Sequence, residues 1–232
     1  FAQKIQSQSS MRNEFTANVS HELKTPLTSI SGYAQLIESG MAKAEDIQDF
    51  AHKINKEANR LLSLINDIIK LSRLEEGNTA VSLEEVDLLE IAQSCKGRLD
   101  LKAKERKVTV SIVGDSICIK AYKSMVDEML FNLCDNAIRY NRPHGLVIVS
   151  VYETEEYAVV AVKDNGIGIP EEHLKHVFER FYRVDKSHSK ETGGTGLGLS
   201  IVKHGALYHK AKLEIESLEG KGTEIRILFP IR

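Results

Sequence analysis

Asn132 and Asn136 stand four residues apart in the stretch NLCDNAIRY, with Arg139 and Tyr140 following, so that on a helix they share one side. An amide oxygen is a hard, neutral ligand that suits Mg²⁺ held jointly by protein, water and nucleotide phosphates, and Arg139 beside it could neutralise phosphate charge. Taken alone, two asparagines at this spacing also describe a solvated helix face. Downstream, Asp164-Asn-Gly166-Ile-Gly168-Ile169-Pro170 puts an acid at a strand end before two glycines, which permit positive φ or close backbone approach to a ligand. Asp164 could accept a hydrogen bond from an exocyclic amine; by itself the run is equally an ordinary Asp-Asn-Gly turn. A second cluster, Gly193-Gly194-Thr195-Gly196-Leu197-Gly198, opens the segment LSIVKHGALYH, whose free amides and positive helix end could receive phosphates or simply start a helix after a loop. Between the clusters, FERFYRVDKSHSKET passes from aromatic and basic to polar, as expected of an apolar anchor followed by a lid at roughly 184 to 195.

These residues need elements to hold them. Asp87 can cap a helix carrying Leu88, Ile91, Ala92, Cys95 and Leu99, and Ser124 with Asp127 forms a capping-box pattern opening another helix to about Tyr140. Strand-like runs read at 108–113, 116–122, 146–152, 157–163, 212–217 and 223–229. Strands with helices interposed predict a mixed sheet covered by helices on one face. The first part of the chain has the other period. Phe15, Val19, Leu23, Leu27, Ile30, Ala34 and Ile37 recur at helical spacing; after a break around 38–41, Ile47, Ile54, Leu61, Ile68 and Glu75 mark one heptad position and Phe50, Glu57, Leu64 and Leu71 another. Two such stripes are wider than one neighbour covers, so a four-helix bundle made by two chains is the expected solution. The pattern stops around Glu76-Gly-Asn-Thr79, which sets domains of 1–76 and 77–232.

Composition removes several classes. Lys plus Arg is 31 and Asp plus Glu 33, a net charge of −2 that gives no whole-chain attraction to duplex nucleic acid. With 42% hydrophobic and 28% charged residues the chain is globular rather than disordered. Three cysteines, Cys95, Cys118 and Cys134, outside any CxxC, support neither a disulfide framework nor a zinc knuckle and fit a reducing compartment. No apolar run approaches the roughly 18 residues of a bilayer span. The chain begins at Phe1 rather than Met, the expectation being a piece of a longer protein.

In this order the motifs resemble the ATP-binding domain of sensor histidine kinases, a superfamily shared with type II topoisomerases, mismatch-repair ATPases and a heat-shock chaperone. The resemblance runs from about residue 80 to 232: NLCDNAIRY corresponds to the N box, DNGIGI to the first glycine box, FERFYR to the F box, GTGLGL to the second and EGKGT to a weaker third. It implies that Asn136 and Asn132 help bind Mg²⁺, that Tyr140 packs near adenine and Arg139 approaches the phosphates. Asp164 would recognise the adenine amine, Gly166, Gly168, Ile169, Thr195, Gly196, Leu197 and Gly198 would shape the pocket, and Arg183 would contact the terminal phosphate. The chain departs from its relatives with Lys210-Ala211 where glycines often follow the last helix, and with Arg139 for the commoner lysine.

Phe15-Thr-Ala-Asn-Val-Ser-His21-Glu22-Leu-Lys-Thr25-Pro26 resembles the H box of the dimerisation and phosphotransfer domain of the same kinases, over about residues 10 to 76. An imidazole with an ordinary pKa of about 6.5 is largely neutral at pH 7 and can attack phosphorus through one nitrogen if the proton on the other is stabilised. The family uses the adjacent carboxylate, here Glu22, as general base. Thr25, one turn on, would orient a water for dephosphorylation of a partner. Pro26 removes the amide that would bond to the carbonyl of residue 22, which predicts a bend there.

The expected fold is therefore α+β, a helical hairpin forming a dimeric four-helix bundle followed by an α/β sandwich. The resemblance implies the cytoplasmic part of a membrane-tethered sensor with no direct membrane contact of its own and no nucleic-acid partner. It would be a homodimeric kinase using ATP and Mg²⁺ to phosphorylate His21, then passing the group to the receiver domain of a response regulator and acting also as its phosphatase. An ATPase clamp of the same superfamily and a dimeric signalling scaffold are the rivals. The segment near Gly77 is expected to act as a hinge between the domains. Gly77→Pro should therefore lower autophosphorylation more than ATP binding; equal loss of both would remove the hinge.

Overall fold

The computed structural model describes residues 2–76, 82–184 and 194–231, and the chain divides into two compact units, one up to Ile69 and one from Lys70 on. The expected hinge near Gly77 and most of the expected lid lie outside the described residues.

The first unit is a helical hairpin, α1 (Ala2–Glu38) and α2 (Ile47–Glu76). Its turn closes on Gly40 at φ 69°, with the Ala42 N–H bonding to the Leu36 carbonyl, and the Phe50 N–H returning to Asp46 at the start of α2. The helices meet through the Tyr33 and Phe50 rings, 5.3 Å apart, with the Lys53 ammonium over Tyr33. Helix α1 runs through Pro26 without interruption. Pro26 is buried and Tyr33 half-buried, whereas Leu27 is 57% exposed and Ala34 is exposed. Phe15, Val19, Leu23, Ile30 and Ile37 of the expected stripe are half-buried, and only at Leu27 and Ala34 does it fail; beside Leu27 the proline ring, with no N–H to satisfy, takes the buried position. Leu27 is left outside, as are Leu62, Ile65 and Ile69 of α2.

The second unit carries a five-stranded sheet in the order β2-β4-β5-β7-β6, comprising β2 (Thr109–Gly114), β4 (Leu146–Glu153), β5 (Tyr157–Asp164), β6 (Lys212–Leu218) and β7 (Gly222–Pro230). Only β2 and β4 run parallel, so the sheet is mixed. Val147, Val149 and Val151, Ala158, Val160 and Val162, and Ile225, Ile227 and Phe229 point alternately into one core. Three helices cover that face: α3 (Leu88–Glu105), α4 (Lys123–Arg139) and α5 (Gly198–Tyr208). Away from the core, Arg226 pairs with Glu216 and Glu224, both at 2.7 Å.

Two sequence expectations change. The run at 116–122 yields only β3 (Cys118–Ala121), which leaves the main sheet to pair with β1 (Glu84–Asp87), a strand without a clear period-two signal. The Ser124–Asp127 capping box does not form: the N-cap of α4 lies two residues earlier, at Tyr122 and without a side-chain cap, and Asp127 pairs with Arg98 at 2.6 Å. His209 takes over the start of α4, its Nε2 accepting the Tyr122 N–H at 3.0 Å. Burial lowers the pKa of this imidazole, keeping it neutral and able to accept. By contrast Asp87 does cap α3, accepting from the Leu89 and Glu90 amides.

Lys210 adopts φ 54° and completes a Schellman turn, its N–H bonding to the Leu207 carbonyl and that of Ala211 to the Ala206 carbonyl. A side chain in this region costs about 1 kcal/mol. Lys210→Gly should raise unfolding stability by roughly that amount, seen as a higher denaturant midpoint at unchanged slope.

Candidate functional site

In the second unit the site is built where α4, the loop after β5 and the start of α5 converge. Helix α4 buries Met125, Val126, Met129, Leu130, Leu133, Ala137 and Ile138 and so turns Asn132, Asn136 and Arg139 away from the core. Gly198 lies close enough that a Cβ there would stand 2.8 Å from Asn132 Oδ1. Glu128 occupies the Asn132 amide nitrogen through its carbonyl at 2.8 Å and carboxylate at 3.1 Å, which leaves the amide oxygen as the group offered to the glycine cluster. The Asn136 amide has no hydrogen-bond partner among the described residues. Helix α5 begins at Leu197 and Gly198 with no side-chain cap, so its positive end is open to an anion. Gly196, at φ 75°, accepts the Phe181 N–H on its carbonyl oxygen at 2.9 Å; a Cβ there would stand 2.9 Å from Phe181 Cα. This glycine ties the second cluster to the aromatic segment. The Thr195 hydroxyl accepts the Leu197 N–H, and the Leu197 side chain is fully buried, anchoring the loop to the core.

At the opposite edge, Asp164 Oδ1 accepts the Gly166 N–H at 2.8 Å. Burial pushes the Asp164 carboxyl up from its ordinary range, opposed by the backbone N–H groups of Gly166 and Thr223. The Tyr140 carbonyl accepts from Ile167 at 3.1 Å, joining the end of α4 to the first glycine loop. Gly168 takes φ 69°, and the Ile169 N–H donates to Ser217 Oγ at 2.8 Å. Asn132, Arg139, Tyr140, Gly194 and Gly198 therefore share one end of the site, and Asp164, Gly166 and Ile167 join it through Tyr140. Arg183 is half-buried and already partnered, beside residues outside the described ones.

The donor set fits a magnesium nucleotide. Two amide groups, an uncapped helix start and a buried Arg139 Nε without a hydrogen-bond partner among the described residues supply neutral oxygen ligands and unused N–H groups. No cluster of three or more His, Cys, Asp or Glu able to hold an ion occurs among the described residues, so a cation here would depend on phosphate oxygens as well.

The first unit holds the other candidate group. His21 is exposed on α1 and lines an open groove with Lys24, Thr25, Thr28 and Ser29, all on one helical face. The Thr25 hydroxyl donates to the His21 carbonyl at 3.2 Å. Glu22 is turned toward α2, with Arg60 Nη2 3.5 Å from its carboxylate; Arg60 also approaches Glu57 at 3.8 Å. Arg60 escaped the sequence reading because nothing local links positions 22 and 60. Lys24 had a visible signal, its i+3 spacing from His21.

Two family models match separate parts of the chain. Residues 11–77 match the profile described as the His Kinase A (phospho-acceptor) domain, and residues 122–232 the one described as histidine kinase-, DNA gyrase B-, and HSP90-like ATPase. Sensor protein kinase WalK of Staphylococcus haemolyticus is 35% identical over 222 residues, 94% of this chain and 36% of that protein. The chain thus spans little more than a third of that relative. Among solved structures, the mycobacterial sensor histidine kinase MprB is 28% identical with a TM-score of 0.57 over 65% of this chain and 98% of its own. Histidine kinase ThkA in complex with response regulator protein TrrA gives 0.76 at 21% identity, over 99% of this chain and 65% of its own.

Acidification should weaken nucleotide binding at a pH above the ordinary aspartate range, because the raised Asp164 pKa protonates the acceptor early. Asp164→Ala should bind about tenfold more weakly or worse, from one unmade hydrogen bond at a buried partner, and its affinity should be flat over the same interval. Parallel pH profiles for both proteins would remove Asp164 from the interaction.

Proposed function

Because this chain belongs to the two-component sensor histidine kinases, we propose that it is an autophosphorylating protein histidine kinase, with residues 1–76 as dimerisation and phosphoacceptor domain and residues 77–232 as ATP-binding domain. The observation that supports this reading is the presence in one chain of an exposed imidazole beside a carboxylate and of an amide and guanidinium cradle at an uncapped helix start. Together they are the acceptor and donor halves of a phosphoryl transfer.

Asn132 and Asn136 would hold Mg²⁺ together with the nucleotide's phosphates; when bound, the ion supplies screening of the phosphate charge. Arg139 adds a fixed positive charge, and the first amides of α5 receive the phosphates. Asp164 accepts from the adenine amine. Arg183 would approach the terminal phosphate. In the first unit His21 would attack the γ-phosphorus through one ring nitrogen while Glu22 stabilises the proton on the other. Little covalent work is left to the protein, so positioning and charge neutralisation carry the rate.

The apolar residues left outside the hairpin, Leu27, Leu62, Ile65 and Ile69, support a homodimer that buries them in a four-helix bundle. The phosphohistidine then supplies an aspartate on the receiver domain of a response regulator, the kind of partner found with ThkA, and Thr25 would serve the reverse, phosphatase reaction. No described helix is long and apolar enough to cross a membrane. The chain is proposed as the cytoplasmic portion of a longer, membrane-tethered sensor, in keeping with the fraction of its relatives that it spans.

Incubation with γ-labelled ATP and Mg²⁺ tests the reading. Label on the wild-type chain that survives alkali, is lost in acid and is absent from His21→Gln is the expected result. Phosphate released with no labelled chain would replace it with an ATPase clamp, and nucleotide binding without turnover would favour a scaffold.

A further inference from the structure

Arg139 is not free to meet a ligand wherever it pleases. One turn before it, Asp135 accepts from its Nη2 at 2.7 Å, and the other carboxylate oxygen of Asp135 is taken by the Lys102 ammonium from α3. Both members are well covered, with side-chain exposures of 13% for Asp135 and 15% for Arg139. The guanidinium lies beside the second glycine cluster: a Cβ on Gly194 would stand 2.9 Å from Arg139 Nη1. Its Nε is buried with no hydrogen-bond partner among the described residues.

On charge alone this arrangement is puzzling. A carboxylate touching the arginine subtracts from the potential that would attract phosphate, most strongly where water is scarce. Lys102 restores the balance, so two cations and one anion leave the cluster at +1. What Asp135 adds is geometry. A planar guanidinium bonded through one nitrogen has its remaining donors fixed in direction, so less rotamer freedom is lost when a ligand accepts from them.

We propose that Asp135 is a positioning residue for phosphate recognition, holding Arg139 against Gly194 so that its remaining donors meet the phosphate chain of a nucleoside triphosphate in one orientation. The inference rests on the nucleotide-site reading above and adds to it a residue outside the expected set. Lys102 acts through Asp135, cancelling the charge that would otherwise oppose an anion.

Charge and positioning predict opposite signs. Removing a negative charge should tighten polyphosphate binding if charge governs, and loosen it if orientation does. Calorimetry on the 232-residue chain, with a non-hydrolysable ATP analogue and with AMP, each with Mg²⁺, reads the difference. Asp135→Asn should weaken the analogue roughly tenfold, the scale of one charge-assisted hydrogen bond, and leave AMP unchanged. In an Arg139→Gln background the same substitution should cost nothing more. Analogue binding equal to or tighter than wild type, a parallel loss for AMP, or an undiminished loss in the Arg139→Gln background would each overturn the proposal. If Asp135→Asn melts below the working temperature, Asp135→Glu keeps the charge but moves the carboxylate by one methylene, and it must show the same triphosphate-selective loss; binding equal to wild type would overturn the proposal. A wild-type chain that binds neither nucleotide would overturn the site reading itself, whereas a binding wild type with an indifferent Asp135→Asn overturns this inference alone.

Discussion

The contact on which the second unit depends is the approach of α5 to α4. A Cβ at Gly198 would stand 2.8 Å from Asn132 Oδ1, and one at Gly205, two turns on, 2.5 Å from Met129 Sδ. Two glycines on one side of α5 let the helices lie closer than ordinary side chains permit. Because the buried side of α4, with Leu133 and Ile138, belongs to the core cluster, Asn132 on its polar side lies at the start of α5. Amide oxygens, guanidinium and an open helix end are thereby brought to one place by packing, without needing to attract one another.

Three carboxylates show how differently the fold treats one chemical group. Asp164 is half-buried, held among the described residues by backbone amides and no cation, and its proton is lost less readily than usual. In Asp135 burial acts in the same direction, but Arg139 and Lys102 outweigh it and keep the carboxyl ionised below the ordinary range. Glu22 is partly exposed, with Arg60 at 3.5 Å. One functional group thus has three different surroundings, separated by burial and partners. Glu57, the polar exception in its heptad position, also belongs here, since it shares Arg60 with Glu22.

Stability is placed away from the chemistry. The far side of the sheet is held by Arg226 among Glu214, Glu216 and Glu224. Both α3 and α5 end in Schellman turns with a lysine, Lys107 or Lys210, at positive φ. These turns tolerate modest strain because the following residue, Val108 or Ala211, packs into or against the core.

Periodicity and motif order determined a good deal from the linear chain. A 3.6-residue stripe must bury one side, and a two-residue alternation must lie in a sheet, so the hairpin, all five strands of the main sheet to within a residue, and the three covering helices follow from local spacing. The glycine clusters and NLCDNAIRY pointed to a phosphate ligand because residue types and spacing limit what a backbone can approach. The tertiary structure alone decided which rival local signals prevailed. Ser124 and Asp127 had the pattern of a cap, yet Arg98 claimed Asp127 and His209 took the helix start from a position 87 residues away. Leu27 had the helical spacing, yet the neighbouring Pro26 is the residue buried. Arg60 against Glu22 and Lys102 against Asp135 join residues 38 and 33 positions apart, and no local periodicity records such pairs. Local spacing states which side of an element is apolar; which charge meets which is settled only when elements distant in sequence are packed together, since that packing sets both separation and exposure to water.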